Sequence, residues 1–181
     1  MSKEVNIREA TAEDAHAIAE VHVTSWKTTY RDIFPPETLA ELSVESRAVL
    51  WEESLSKPSQ INFLFVAENA SGEVVGFAGG GQAHDGIKGY EGELRVMYIL
   101  ESYQGIGIGR RLFNAIVDRL VESGFDSMLA WALTDNPHRK FYEKIGGEII
   151  GDRLYERGGL FYPAVGYGWK NIHKLVEGEE E

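Results

Sequence analysis

Gln104-Gly105-Ile106-Gly107-Ile108-Gly109-Arg110-Arg111 lies between an apolar run over residues 94–100 and a segment whose apolar residues recur at intervals of three and four. The run before it reads as a strand and the segment after it as an amphipathic helix. Three alternate glycines remove side-chain bulk, so a row of backbone N–H groups turns toward one anion at the positive end of the helix. The stretch is read as a cradle for a pyrophosphate-bearing ligand, with Arg110 adding a cation.

Spacing narrows the kind of cradle. Counting from Gly105, the sixth residue is Arg110 and not a third glycine, and no early strand precedes the loop, so a dinucleotide fingerprint fails. A P-loop needs Gly-Lys followed by Ser or Thr after four intervening residues, and that is absent.

The 181 residues suffice for one domain with its own core. The chain is read as a single domain over residues 1–172, followed by an acidic tail over residues 173–181. At 43% apolar and 26% charged, its composition is that of a globular protein. The absence of cysteine excludes disulfides, thiolate metal ligands and a cysteine acyl-enzyme. The start, Met1-Ser2-Lys3-Glu4, has no basic-then-apolar leader, and no apolar run reaches membrane-span length, so the expected compartment is the cytoplasm, with no membrane partner. A formal charge of −11 argues against a nucleic-acid partner and favours a cationic substrate such as an amine.

The rest of the chain alternates strand and helix signals. Residues 5–8 read as a strand, and Thr11 caps a helix running to about Tyr30, broken by Pro35-Pro36. A second helical region carries Leu39, Leu42, Val49, Leu50 and Leu55, with Ser43 as a cap between two pieces and Pro58 as its end. Residues 61–68 and 74–79 form a hairpin around Asn69-Ala70-Ser71-Gly72. A glycine-rich connection over residues 79–92 precedes the strand at 93–100. The following helix shows Ile108, Leu112, Phe113, Ile116, Val117, Leu120 and Val121 on one stripe and stops at Gly124. Strands follow at 127–133, 148–155 and 160–169, and Asn136-Pro137 opens a short helix ending at Gly146-Gly147. The strand-helix-strand unit over 93–133 implies a parallel pair, whereas the hairpins imply antiparallel neighbours.

The motif Gln104-x-x-Gly107-x-Gly109, the order of elements and the segment from Asn136 through Phe141-Tyr142 to Gly146 together resemble the GNAT superfamily of N-acyltransferases over roughly residues 4–170. The resemblance implies an α/β (α+β) fold, with a mixed, mostly antiparallel seven-stranded sheet, a central parallel pair and helices on both faces. It also implies acetyl-CoA as cosubstrate. Its pyrophosphate would be held by Gln104, Gly105, Ile106, Gly107, Ile108, Gly109 and Arg110. In this family the fourth strand bulges and splays from the fifth, which assigns the pantetheine arm to backbone groups of Met97, Tyr98 and Ile99. The Met97 N–H would hold the acetyl carbonyl as it becomes an oxyanion, a contribution of about 3 kcal/mol where such donors have been removed from other enzymes.

Tyr142 matches the family's tyrosine that protonates the departing thiolate. A phenol of pKa near ~10 can donate to a thiolate whose acid lies near ~8.5. Asn136 is assigned either to the cofactor or to capping the helix. Glu93, four residues before Met97, matches the position of a glutamate base, and Glu91 is its rival one pleat away. His22, Trp26 and Tyr30 share a helix face where the family builds the acceptor site, although an apolar stripe of this kind also fits core packing. Trp131 is a wall residue. The five histidines show no metal-binding spacing, and no metal is expected.

The implied activity is N-acetyl transfer to the primary amine of a small molecule by direct attack in a ternary complex. A protein or peptide acceptor, a non-catalytic CoA-binding module and an unrelated nucleotide-binding protein are the alternatives. The aromatic-rich end, residues 155–169, is a surface on which a homodimer could form.

Overall fold

The structure is a computed structural model describing residues 4–57, 59, 62–84 and 87–177. The strands are β1 (Val5–Glu9), β2 (Asn62–Asn69), β3 (Val74–Gln82), β4 (Gly92–Ile99), β5 (Met128–Leu133), β6 (Glu148–Arg157) and β7 (Leu160–Trp169). They form one sheet in the order β1-β2-β3-β4-β5-β7-β6. Every neighbouring pair is antiparallel except β4 and β5. The helices are α1 (Ala15–Thr29), α2 (Pro36–Ala40), α3 (Val44–Leu55), α4 (Ile108–Glu122), α5 (Lys140–Lys144) and α6 (His173–Glu177). α4 carries the chain back from the end of β4 to the start of β5, as a parallel pair requires.

Alternation along β2 explains why helices cover both faces. Phe63, Phe65 and Ala67 point to one side, where they join Leu112, Phe113, Ile116 and Val117 of α4. Leu64 and Val66 point to the other, where they meet Ile18 and Val21 of α1. The apolar stripe of α4 is almost wholly buried, and each such side chain contributes on the order of 1.5–3 kcal/mol.

Several boundaries differ from the sequence reading, each for a local reason. Thr11 precedes a 3-10 turn, Ala12–Asp14, before α1 begins. The buried Asp14 carboxylate accepts the Thr11 N–H at 2.8 Å and both terminal nitrogens of Arg8 at 2.8 Å. β3 runs on through Gly79, Gly80 and Gly81 into what reads as a glycine-rich connection. The short helix after Asn136 is confined to α5, because Pro137 to Arg139 form turns. Ser43 does cap α3, accepting the Ser46 N–H at 3.2 Å. Residues 173–177, assigned by sequence to the tail, form α6 against α4, anchored by the fully buried Ile172 and by His173 Nε2 at 2.7 Å from Asp126 Oδ1. Pro58, Ile61 and the tail beyond Glu177 lie outside the described residues.

Candidate active site

The site starts from an irregularity in β4. Gly79 pairs with Val96 while its neighbour Gly80 pairs with Leu94, so Arg95 is an extra residue and the strand bulges there. The bulge shifts the alternation by one, so that Glu93 and Tyr98, five residues apart, line the same cavity. Gly80 lets the strands close at this point: a Cβ there would stand 2.6 Å from the Glu93 carbonyl oxygen. On its other side β4 pairs with β5 only at Gly92, Glu93 and Leu94. Beyond Leu94 the strands part, leaving the backbone of Met97, Tyr98 and Ile99 without a β5 partner.

A groove of about 510 Å³ opens along this edge. Met97, Tyr98, Ile99, Gln104, Gly105, Gly107, Gly109 and Arg110 line it, and α5 closes the opposite wall with Phe141 and Tyr142. The glycine loop enters α4 with Gly105 at φ 74° and Gly107 at φ 87°, a left-handed conformation that favours glycine, and no atom lies within 4 Å of where either Cβ would be. No side chain caps α4, so its first N–H groups are unclaimed at the positive end of a 15-residue helix. Gln104 turns its amide back to donate to the Ile99 carbonyl at 2.9 Å, anchoring the loop to the strand. Arg110, Lys140 and Lys144 place cations around the groove.

A second cavity, about 330 Å³, lies on the α1 side of β4. The two share Met97, Tyr98, Asn136 and Tyr142 as walls, so they meet at these residues. The Tyr142 ring is fixed among Phe141, Tyr167 and Trp169. Its hydroxyl has no hydrogen-bond partner among the described residues, and burial pushes its pKa well above the usual phenol value, so it stays protonated. Asn136 holds the turn, its Oδ1 accepting the His138 N–H at 2.9 Å, while its Nδ2 donates to the Tyr30 hydroxyl at 3.4 Å. Tyr30 in turn lies 3.3 Å from the Tyr98 hydroxyl.

His22, Trp26 and Tyr30 line this second cavity. The His22 ring stacks on Tyr98 at 5.2 Å, and Trp26 stacks on Phe34 at 5.4 Å. Burial, reinforced by Arg47 and Arg157, lowers the His22 pKa to about 4. The Trp51 indole N–H, which can only donate, reaches His22 Nδ1 at 3.3 Å, so the neutral ring carries its proton on Nε2. His22 is therefore a donor toward the cavity and not a base. Glu93 also lines the cavity, its side chain 13% exposed, with one carboxylate oxygen 4.0 Å from Arg95 Nε and accepting the His84 N–H at 3.3 Å. Glu91 lines neither cavity, because its carboxylate accepts the Asp126 N–H at 2.8 Å.

Residues 23–147 match the model of the acetyltransferase (GNAT) family. The chain is 36% identical over 171 residues to the uncharacterized N-acetyltransferase YuaI of Bacillus subtilis, covering 94% of this chain and 96% of that protein. It belongs to the GNAT acetyltransferase family. Among solved structures, the PaiA N-acetyltransferase of Thermoplasma acidophilum in complex with coenzyme A superposes with a TM-score of 0.67 at 22% identity, covering 89% of this chain and 98% of that one. An N-acetyltransferase of Staphylococcus aureus Mu50 gives 0.69 at 18% identity, covering 93% and 99%. The solved structures show that the fold is a GNAT fold, and the family match with the YuaI relative shows the protein to be an acyltransferase.

In this GNAT enzyme the fold gathers most of the sequence-derived site residues, with two exceptions in their side chains. Ile106 is 50% exposed and Ile108 is buried in the core, so only their backbone amides are available to the groove. Sequence reading did not single out Lys140 and Lys144, nor Arg47, Arg95, Arg153 and Arg157 in the second cavity. The spacing of Arg153, Tyr155 and Arg157 was a legible signal, because alternate residues of a strand share a face. Among the described residues the cavity does not share the chain's acidic excess: four arginines and the carboxylate of Glu93 line it. Among the described residues no cluster of His, Cys, Asp or Glu could hold a metal ion, and no helix is long and apolar enough to cross a membrane.

Proposed function

We propose that this acetyltransferase moves the acetyl group of acetyl-CoA to the primary amine of a small molecule by direct attack in a ternary complex. The observation that carries this reading is the meeting of two cavities at Met97, Tyr98, Asn136 and Tyr142, one beside the open edge of β4 and the other enclosed by α1. The groove suits the cosubstrate: open space at the Gly105 and Gly107 Cβ positions admits phosphate oxygens to backbone amides, and Arg110, Lys140 and Lys144 offset their charge. Met97 and Ile99 turn backbone N–H groups toward the side that β5 leaves open, beside the pantetheine arm, while the Ile99 carbonyl is held by Gln104, and the Met97 N–H is the donor assigned to the acetyl oxygen. Bound there, acetyl-CoA supplies an activated thioester.

The chain's own residues then handle protons. Glu93 takes a proton from the incoming ammonium, since only the free amine is nucleophilic, and its place on the acceptor wall puts it on the amine's side of Met97. Tyr142 donates its hydroxyl proton to the leaving sulfur as the C–S bond breaks, a role that suits a hydroxyl kept neutral by burial and without a hydrogen-bond partner among the described residues. The second proton, shed by the acylated nitrogen, restores the phenol. With no cysteine available, an acyl group on a protein thiolate has no place in the scheme.

Thiol release from acetyl-CoA across a panel of amines tests the activity. With a working acceptor, initial rates measured while both substrates are varied should give intersecting double-reciprocal lines. Parallel lines would contradict direct attack.

A further inference from the structure

The acceptor cavity holds more positive charge than its surroundings explain. Arg47 comes from α3 and Arg157 from the end of β6, and both lie close enough to act electrostatically on the same imidazole, His22. Neither has a hydrogen-bond or ion-pair partner among the described residues. Arg157 instead lies over the Trp26 ring, 5.2 Å from its centroid, and Arg153 lies over Trp131 at 4.2 Å. Stacking over Trp26 holds the Arg157 guanidinium in place and leaves its N–H edges for a ligand. Arg95 is the exception: its guanidinium already donates to Asn62 Oδ1 at 2.8 Å and to the Gln82 carbonyl.

A partly buried arginine without a carboxylate loses hydration and gains little in exchange. Two such groups on one cavity wall suit a ligand that brings the missing anion. The same field opposes a second ammonium, which disfavours diamines, polyamines and aminoglycosides despite the chain's net charge of −11. We propose that the acceptor is a small amine that also carries an oxyanion, a carboxylate or phosphonate of amino-acid type, held by Arg47 and Arg157 at the aromatic wall of His22, Trp26 and Tyr98. This rests on the proposed acetyl transfer for the amine's fate, but the anion subsite stands on its own geometry. With the anion gripped on the α1 side, the amine end is left to face Met97, Tyr142 and Glu93, which line the same cavity.

The test is calorimetric titration into CoA-saturated protein, which binds ligand without turnover. The probes are phenylalanine and methionine, their primary amides, the corresponding decarboxylated amines, the aminophosphonate analogue of phenylalanine, and cadaverine. Thiol release from acetyl-CoA is measured in parallel. At least one carboxylate or phosphonate probe should bind at least about tenfold more tightly than its amide and amine counterparts, the carboxylate and phosphonate arms showing which oxyanion is preferred. Arg157→Gln and Arg47→Gln should each remove most of that preference while leaving the weak binding of the neutral-ended probes unchanged, which also reports that the variants are folded. Anion-selective binding without thiol release would still support the subsite and count against the acetyl-transfer reading alone. Equal or tighter binding of the decarboxylated amines or cadaverine, no binding by any anionic probe, or an anion preference that survives both substitutions would overturn the proposal while leaving acetyl transfer intact.

Discussion

Leu94 and Ala130 form the last rung of the parallel ladder between β4 and β5. One residue later the Arg95 bulge changes which face each β4 side chain occupies, and the strands part. The same three residues therefore separate the rigid centre of the sheet from the edge beside which both cavities open. An unpaired strand edge inside a fold leaves N–H and C=O groups that need partners. In the proposed complex the pantetheine arm supplies them.

Tyr142→Phe separates chemistry from packing. The hydroxyl makes no hydrogen bond to the described residues, so its removal should change stability by less than about 1 kcal/mol and leave the aromatic contacts with Tyr167 and Trp169 in place. Acetyl-CoA affinity should hold, while kcat should fall by about 10²-fold, the lower range for general acid catalysis. A calorimetric titration beside steady-state rates checks both. Unchanged turnover would remove Tyr142 from proton transfer.

Gly107→Ala tests the cradle, with Gly72→Ala as its control. Both glycines hold left-handed backbone, at φ 87° and φ 81°, and neither would place a Cβ within 4 Å of another atom. Each substitution should therefore cost about 1–2 kcal/mol in backbone strain alone. Only position 107 faces the groove, so only there should acetyl-CoA affinity drop, by tenfold or more, as the methyl group enters phosphate space. Equal affinities in the two variants would move the pyrophosphate elsewhere.

His22 makes folding stability depend on pH in a defined window. Its pKa falls from about 6.5 in the unfolded chain to about 4 in the fold, so between these values the unfolded state binds a proton that the folded state refuses. Stability is full above the upper value and declines as pH falls toward the lower one, by on the order of 3 kcal/mol. Asp14, held below its ordinary value by Arg8, contributes from 3.8 downward and lies outside most of that range. Denaturant melts from pH 7 to pH 4 should show the slope in the wild type and a flatter one in His22→Gln. An identical slope in both would mean that His22 is not held neutral.

Much of the architecture was legible because it rests on periodicity. The stripe of α4, the glycines before it and the alternating runs around it fix a strand-helix-strand unit, and the hairpin signals place the antiparallel neighbours. The extension of β3 through Gly79 to Gly81 was not legible, since glycine carries no strand preference. Its presence answers to close contacts such as that between Gly80 and the Glu93 carbonyl. The bulge at Arg95 leaves no local mark in the sequence. Arg47 and Arg157 are 110 residues apart, so their convergence on His22 belongs to the tertiary fold. For the same reason the overall charge pointed toward a cationic acceptor, opposite to the local field of the cavity.

Backbone hydrogen exchange with and without acetyl-CoA tests most directly whether the cosubstrate lies along the open edge of β4. Binding should slow exchange at Met97 and Ile99 and across Gly105 to Arg110, where amides gain partners, and leave β2 over Asn62–Asn69 unchanged. Saturating acetyl-CoA that leaves both stretches exchanging at their free rates would contradict the account, whatever protection appeared elsewhere.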